Sequence, residues 1–178
     1  MFWKRKKNTS TGFECSLCGQ VHAEWPALAF KAPANYSFLS DIEKTELGKL
    51  DSDFCEIHYA DQSDRFIRVR LLQKLNNACE FLEYGLWVSL SEKSYLDYKA
   101  NYNKQNHEAS YFGWLCNDIA EYEHTSRIPC DVITKGNNER PEIFPHEDFD
   151  HLFVKDFYTG ITKVEAEKRI ATMFKNVG

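Results

Sequence analysis

An α+β fold is predicted: a central, mainly antiparallel sheet with flanking helices and a zinc-knuckle-like segment at its N-terminal side. Three observations predict it. Segment 79–90 alternates, with Leu82, Tyr84, Leu86, Val88 and Leu90 on one side and Phe81, Glu83, Gly85, Trp87 and Ser89 on the other, the period of a strand. Ile161, Val164, Ile170, Phe174 and Val177 recur near helical spacing around Thr162 and Glu165, which have capping-box separation for a last helix. Strand-like segments gather in the middle of the chain and helical ones flank them without βαβ alternation. The 178 residues suit one domain. A basic flexible tail is expected over 1–12 and a single α+β domain over 13–178, whose first part, 13–60, carries the knuckle.

The elements follow in order. Residues 13–16 read as a short strand entering the turn Cys15-Ser16-Leu17-Cys18-Gly19. Residues 23–37 hold Pro26 and Pro33 and read as irregular. Ser40 and Glu43 have capping-box spacing for a short helix. Segments 53–60 and 65–72 are predicted strands; in the second, Ile67, Val69 and Leu71 alternate with Phe66, Arg68 and Arg70. After strand 79–90, Ser89 and Glu92 suggest a second capping box and a helix over 91–104. Segments 110–116 and 127–134 are further strands, and Gly136-Asn137-Asn138 is a turn before residues 140–144. Gly160 separates a short helix over 147–158 from the last one.

Composition narrows the function classes. The charge is −5, and Lys4 to Lys7 carry four of the positive charges; without them 18 basic face 27 acidic residues. An acidic body argues against a nucleic-acid groove, which needs cations to displace counterions, and suits a basic protein partner. Phe, Tyr and Trp make 26 of the 178 residues, enough for bulky sheet packing or a contact surface. No stretch approaches a membrane span, and the basic start lacks the apolar region of an export signal. Six cysteines without such a signal point to a reducing cytoplasm and to metal binding rather than disulfides.

Cys15-x-x-Cys18-Gly19 has knuckle spacing, in which two thiolates of one turn reach one ion. Zinc takes four ligands in tetrahedral array; His22 and Cys55 supply the favoured remaining pair, with His58 a rival for the imidazole position. Such a zinc ion is structural. Cys79, Cys116 and Cys130 lack ligand spacing and read as core thiols. His146-Glu147 with His151 resembles a metalloprotease helix, but positions five apart diverge by about 140° on a helix and do not share an ion. His22-Ala23-Glu24 beside the CxxC has the residue types of a nucleobase deaminase in the wrong order. No glycine-rich phosphate loop and no G-x-S-x-G elbow occur.

Several phrases together resemble one family, the bacterial domain of unknown function DUF2199. They are Phe13 to His22, Asp51 to Cys55, Arg65-Phe66-Ile67-Arg68, Tyr84 to Glu92, Tyr111-Phe112-Gly113-Trp114-Leu115, Arg140-Pro141, His151-Leu152 and Gly160-Ile161-Thr162. The resemblance implies the grouping of Cys15, Cys18, His22 and Cys55 and sets His58 aside, since an acid is usual there; it implies no reaction. Val69 and Phe153 depart from the pattern. Arg68, Trp87, Trp114, Arg140 and His151 are the remaining candidate ligand- or partner-binding residues. Trp87 either floors a groove or lies under a helix, and Arg68 and Arg140 suit an anion or a salt bridge. The favoured reading is a non-enzymatic, zinc-stabilised protein-binding protein, in one version an immunity or antitoxin-like protein neutralising a basic toxin. The alternative is an enzyme, of hydrolase type, with a pocket around Arg68, Trp87 and His151.

Overall fold

The computed structural model describes residues 12–14, 21–23, 25–78 and 80–176. The expected tail before Gly12, the turn with Cys15 and Cys18, and Cys79 and Val177 lie outside the described residues. Strands β1 (Gly12–Glu14) and β2 (Val21–Ala23) form an antiparallel pair of their own. Then come β3 (Leu28–Ala29), α1 (Ala34–Ser37), α2 (Asp41–Leu47), β4 (Gly48–Leu50), β5 (Phe54–His58), β6 (Ser63–Lys74) and β7 (Phe81–Leu90). After them lie α3 (Glu92–Asn101), β8 (Ser110–Leu115), β9 (Pro129–Ile133), β10 (Glu142–Pro145), α4 (Leu152–Thr159) and α5 (Lys163–Asn176). The α+β prediction holds, and most strand pairs are antiparallel.

Strands β3 to β10 form one sheet, and five of them return on themselves. β6 pairs with β7, β7 with β8, β8 with β9 and β9 with β10, all antiparallel, and β10 meets β6 in parallel at Glu142 and Arg70. The closing contact also uses the Arg70 N–H, which donates to the Pro141 carbonyl at 2.9 Å. β5 and β4 extend the sheet beyond the first part of β6, and β3 lies parallel to β7. A Cβ on Gly85 would stand 3.2 Å from that of Ala29, so the glycine lets β3 approach.

Strand alternation sorts the ring into two surfaces. Ile67, Val69 and Leu71 of β6 and Leu82, Tyr84, Leu86 and Val88 of β7 are all 0–1% exposed and belong to the main core. Tyr95 and Tyr98 of α3, Phe153 and Val154 of α4 and Ala166 of α5 join it. Each aliphatic side chain so buried contributes about 1.5–3 kcal/mol. The opposite surface carries Phe66, Arg68 and Arg70 and, in register with them, Ser89, Trp87 and Gly85. Segment 25–47 covers part of it: Phe30, Tyr36, Leu39 and Leu47 pack on a second cluster of Cys55, Ile57, Phe66, Trp87 and Cys116.

Three local expectations change. The α3 cap is Ser91, whose Oγ accepts the Ser94 N–H at 3.2 Å. Ser89 is still strand, paired with Phe66 and Trp114, and Glu92 binds Arg65 at 2.6 Å. The helix expected over 147–158 begins only at Leu152, because His151 caps it. Residues 23–37 contain the short elements β3 and α1. The capping box of Ser40 and Glu43 is present, and the Thr162 hydroxyl accepts the Glu165 N–H at 3.1 Å. Gly160 ends α4 at φ 87°, where a Cβ would collide with Asn76.

Candidate functional site

A surface depression of about 650 Å³ opens where the start of β6 meets the ends of β7 and β8. Ala34, Asn35 and Phe38 form one wall, Trp114 and Cys116 another, and Arg65, Asp118 and Arg127 stand around it. The α1 wall is fastened to the ring: the Ala34 N–H donates to the Cys116 carbonyl at 2.7 Å, and the Trp87 indole N–H to the Phe30 carbonyl at 3.0 Å. Trp114 and Phe112 alternate outward on β8 and are 45% and 47% exposed. Their rings meet edge to face at 5.0 Å and 89°. His146 extends the row, 5.6 Å from Phe112, with Asp131 3.3 Å from its Nε2. Phe38 is 84% exposed. An apolar pair held rigid on a strand and left in water is the composition of a contact surface.

The polar side of the depression is unevenly satisfied. Arg65 is bound to Glu92 and to the Ser63 carbonyl. Arg127 takes φ 75°, and its backbone N–H donates to the Leu115 carbonyl at 2.7 Å. The Arg127 guanidinium is exposed and makes no hydrogen bond or ion pair with a described residue. The Ser126 hydroxyl is buried without a partner. Burial, with Asp64 adding to it, pushes the Cys116 thiol up to about 11 against the opposing pull of Ser89 and Arg127; it is an inert core thiol.

Of the residues singled out from sequence, Trp114 lines this depression and Trp87 does not. Trp87 is fully buried beneath segment 25–47, with the Arg68 guanidinium 5.9 Å from its ring centroid. Arg68 and Arg140 are neighbours. Arg140 Nε donates to Asp53 Oδ1 at 2.8 Å, and its charge, after burial, lowers the Arg68 pKa while Asp53 opposes. Burial favours the protonated form of Asp53, yet hydrogen bonds from Ser52 and Arg140 hold its carboxyl below the usual range.

His151 sits with the helices on the other surface of the ring. Its Nδ1 accepts the Phe153 N–H at 3.0 Å, so Nε2 carries the proton and donates to the Glu123 carbonyl at 2.6 Å. Nδ1 caps α4 and Nε2 ties the cap to the loop at Glu123, beside Tyr122. The expected pocket around Arg68, Trp87 and His151 is therefore not formed: one residue is sealed, and the third faces away.

The metal residues divide. Cys15 and Cys18 fall in the 15–20 connection between β1 and β2, and His22 follows in β2, opposite Phe13. Cys55 is fully buried on β5, without a hydrogen bond. Burial, with Asp51, Glu56 and Cys116 adding to it, pushes its thiol up to about 12. It lies in the second apolar cluster with Ile57, Phe66, Trp87 and Cys116. Among the described residues no three His, Cys, Asp or Glu side chains gather as a metal site. The rival His58 has Nδ1 2.9 Å from Ser63 Oγ, and its buried Nε2, 3.0 Å from Glu56, makes no hydrogen bond. Lys99 and Tyr95 also bind Glu56, each at 2.7 Å; a carboxylate so neutralised braces the hairpin rather than driving a base.

Sequence reasoning missed Arg70, Phe112, Asn117 and Arg127. The Tyr111-Phe112-Gly113-Trp114 alternation already carried the signal for Phe112; the others become visible only through contacts distant in sequence. No helix among the described residues is long and apolar enough to cross a membrane.

Fold and site thus define a class: an α+β protein with a closed five-stranded ring and an exposed aromatic ledge. The family is reached from sequence. Residues 14–161 match the bacterial family described as "Uncharacterized protein conserved in bacteria (DUF2199)", and the chain belongs to it. No curated protein and no solved structure matches it.

Proposed function

We propose that the protein acts by holding another protein, without catalysis, and that Trp114 is the anchor. The carrying observation is the solvent-exposed Trp114–Phe112 pair at the rim of a depression of about 650 Å³. Aromatic anchors seated near such pockets supply most of the energy of protein interfaces, each about 2 kcal/mol or more. The net charge of −5 favours a basic partner, and a toxin held by an immunity-like protein is the specific version. Zinc has a supporting part in this reading. Cys15, Cys18, His22 and Cys55 would hold it, and it would tie the β1–β2 hairpin to β5.

Trp114→Ala is the test. Its side chain leaves the core untouched, so stability should stay within about 0.5 kcal/mol. Co-expressed with the product of a neighbouring toxin gene, the wild type should protect and co-purify; W114A should bind at least about 30-fold more weakly. Neither protection nor co-purification by the wild type would sink the toxin version. A photo-cross-linker at position 112 that captures no discrete protein in the native host would sink the binding role itself.

A further inference from the structure

On the outer wall of the ring two arginines form no ion pair with a described residue. Arg68 and Arg70 alternate with the inward Ile67, Val69 and Leu71 of β6, so they share a face about 6.6 Å apart. The Nε of each is closed off from solvent and lacks an acceptor. Neither guanidinium makes an ion pair or hydrogen bond with a described residue. Opposite them on β7 stand Trp87 and Gly85. The indole underlies Arg68, and Arg68 Nη2 lies beside Gly85, at ordinary contact distance (3.5 Å) from where a Cβ would stand.

The surrounding charges do not balance the pair. Arg140, adjacent, gives its Nε to Asp53. Asp53 is further held by Ser52 at 2.6 Å. Glu142, in register with Arg70, is taken by Lys135 at 2.8 Å. Glu83, outward on β7, makes no ion pair with either arginine. Partly buried charge without a partner is costly and persists where something outside the fold answers it. Guanidinium forks at this spacing match the several acceptor oxygens of a tetrahedral oxyanion.

We propose that Arg68 and Arg70, with Arg140 beside them, form a binding site for a phosphate-class oxyanion. The site is separate from the aromatic depression. The ligand is inorganic phosphate or a small phosphate monoester, which share this chemistry.

The arginine Nε–H resonances of the full chain report on the site directly. Titration with inorganic phosphate at constant ionic strength should shift two of them saturably, with half-saturation below about 10 mM. Arg68→Met and Arg70→Met should each weaken binding by about tenfold or more. The methionine keeps the apolar stem. In phosphate-free buffer both variants should melt at or above the wild-type temperature, since an unpaired charge has been removed; a merely structural arginine would show the reverse. Trp114→Ala should bind phosphate like the wild type, which separates this site from the protein-binding reading. O-phosphoserine binding more tightly than phosphate would make it a monoester site, and equal binding a free-phosphate site. No saturable shift, an equal response to chloride or acetate, or unchanged binding in R68M and R70M overturns the proposal.

Discussion

The side-chain Oδ1 of Asn117 accepts the backbone N–H of Trp87 at 2.8 Å. The same amide donates through Nδ2 to the Ala32 carbonyl at 3.0 Å, and Asn117 is 2% exposed. One buried side chain thus joins the end of β7 to the segment that walls the depression. Asn117→Ala leaves the Trp87 N–H and the Ala32 carbonyl without this partner, and a loss of about 2–4 kcal/mol is expected. Urea unfolding checks it; a midpoint equal to that of the wild type would remove Asn117 from this role.

Trp87→Phe keeps an aromatic ring in the second cluster but gives up the bond to the Phe30 carbonyl. The expected loss is about 1–3 kcal/mol, from the missing hydrogen bond and the smaller ring. Calorimetric melting of W87F beside W114A gives the contrast: only the first should melt clearly lower.

Arg169 is 4% exposed and bonds the Tyr84 hydroxyl at 3.0 Å, the Tyr122 hydroxyl at 2.9 Å and Glu165 at 3.0 Å. It fastens α5 to the ring by charge-assisted bonds. Arg169→Met should cost about 2–4 kcal/mol. The double variant with Tyr84→Phe should cost less than the sum of the single ones, because the two share one interaction. Additive losses in denaturant titrations would contradict the link.

Stability should fall in acid through Glu56. Burial works against its charged form, but Lys99 and Tyr95 bind it and hold the carboxyl down at about 2. A depressed folded-state pKa stabilises above the unfolded value of 4.5, and that contribution disappears as pH falls from 4.5 towards 2. In Glu56→Gln the drop in melting temperature across this window should shrink, whereas an unaltered pH profile would assign the acid sensitivity elsewhere.

Zinc is checked by elemental analysis of the purified chain, with one ion per chain expected. Cys18→Ser should lower that content and the melting temperature together. A structural site of this kind contributes about 10–16 kcal/mol of apparent binding energy. A protein prepared with zinc present that holds none, and melts alike with and without chelator, has no such site.

Local rules made several elements legible. The alternation in β7 put Leu82 to Leu90 inside because side-chain direction has period two, and Ser40 with Glu43 marked α2 because capping geometry is local. Trp87 was ambiguous: its cover, segment 25–47, has no periodicity that names what it packs on. His151 looked like chemistry in a linear motif, yet its two nitrogens satisfy backbone groups of Phe153 and Glu123. Trp114 was singled out for its residue type, and its exposure followed from alternation with Gly113 and Leu115. Arg70 passed unnoticed as one of three outward residues of β6.

The parallel contact between Glu142 and Arg70 also bears on how the chain is made. Everything from β6 to β9 is synthesised before the strand that completes the circle exists. At about 5–20 residues per second of synthesis, the stretch from Ile133 to Pro145 takes about 1–2 s, during which β6 and β9 lack the strand that joins them. Those edges are open templates for another strand during that interval. A ribosome stalled before codon 142 would therefore release a sticky fragment rather than a smaller version of the protein.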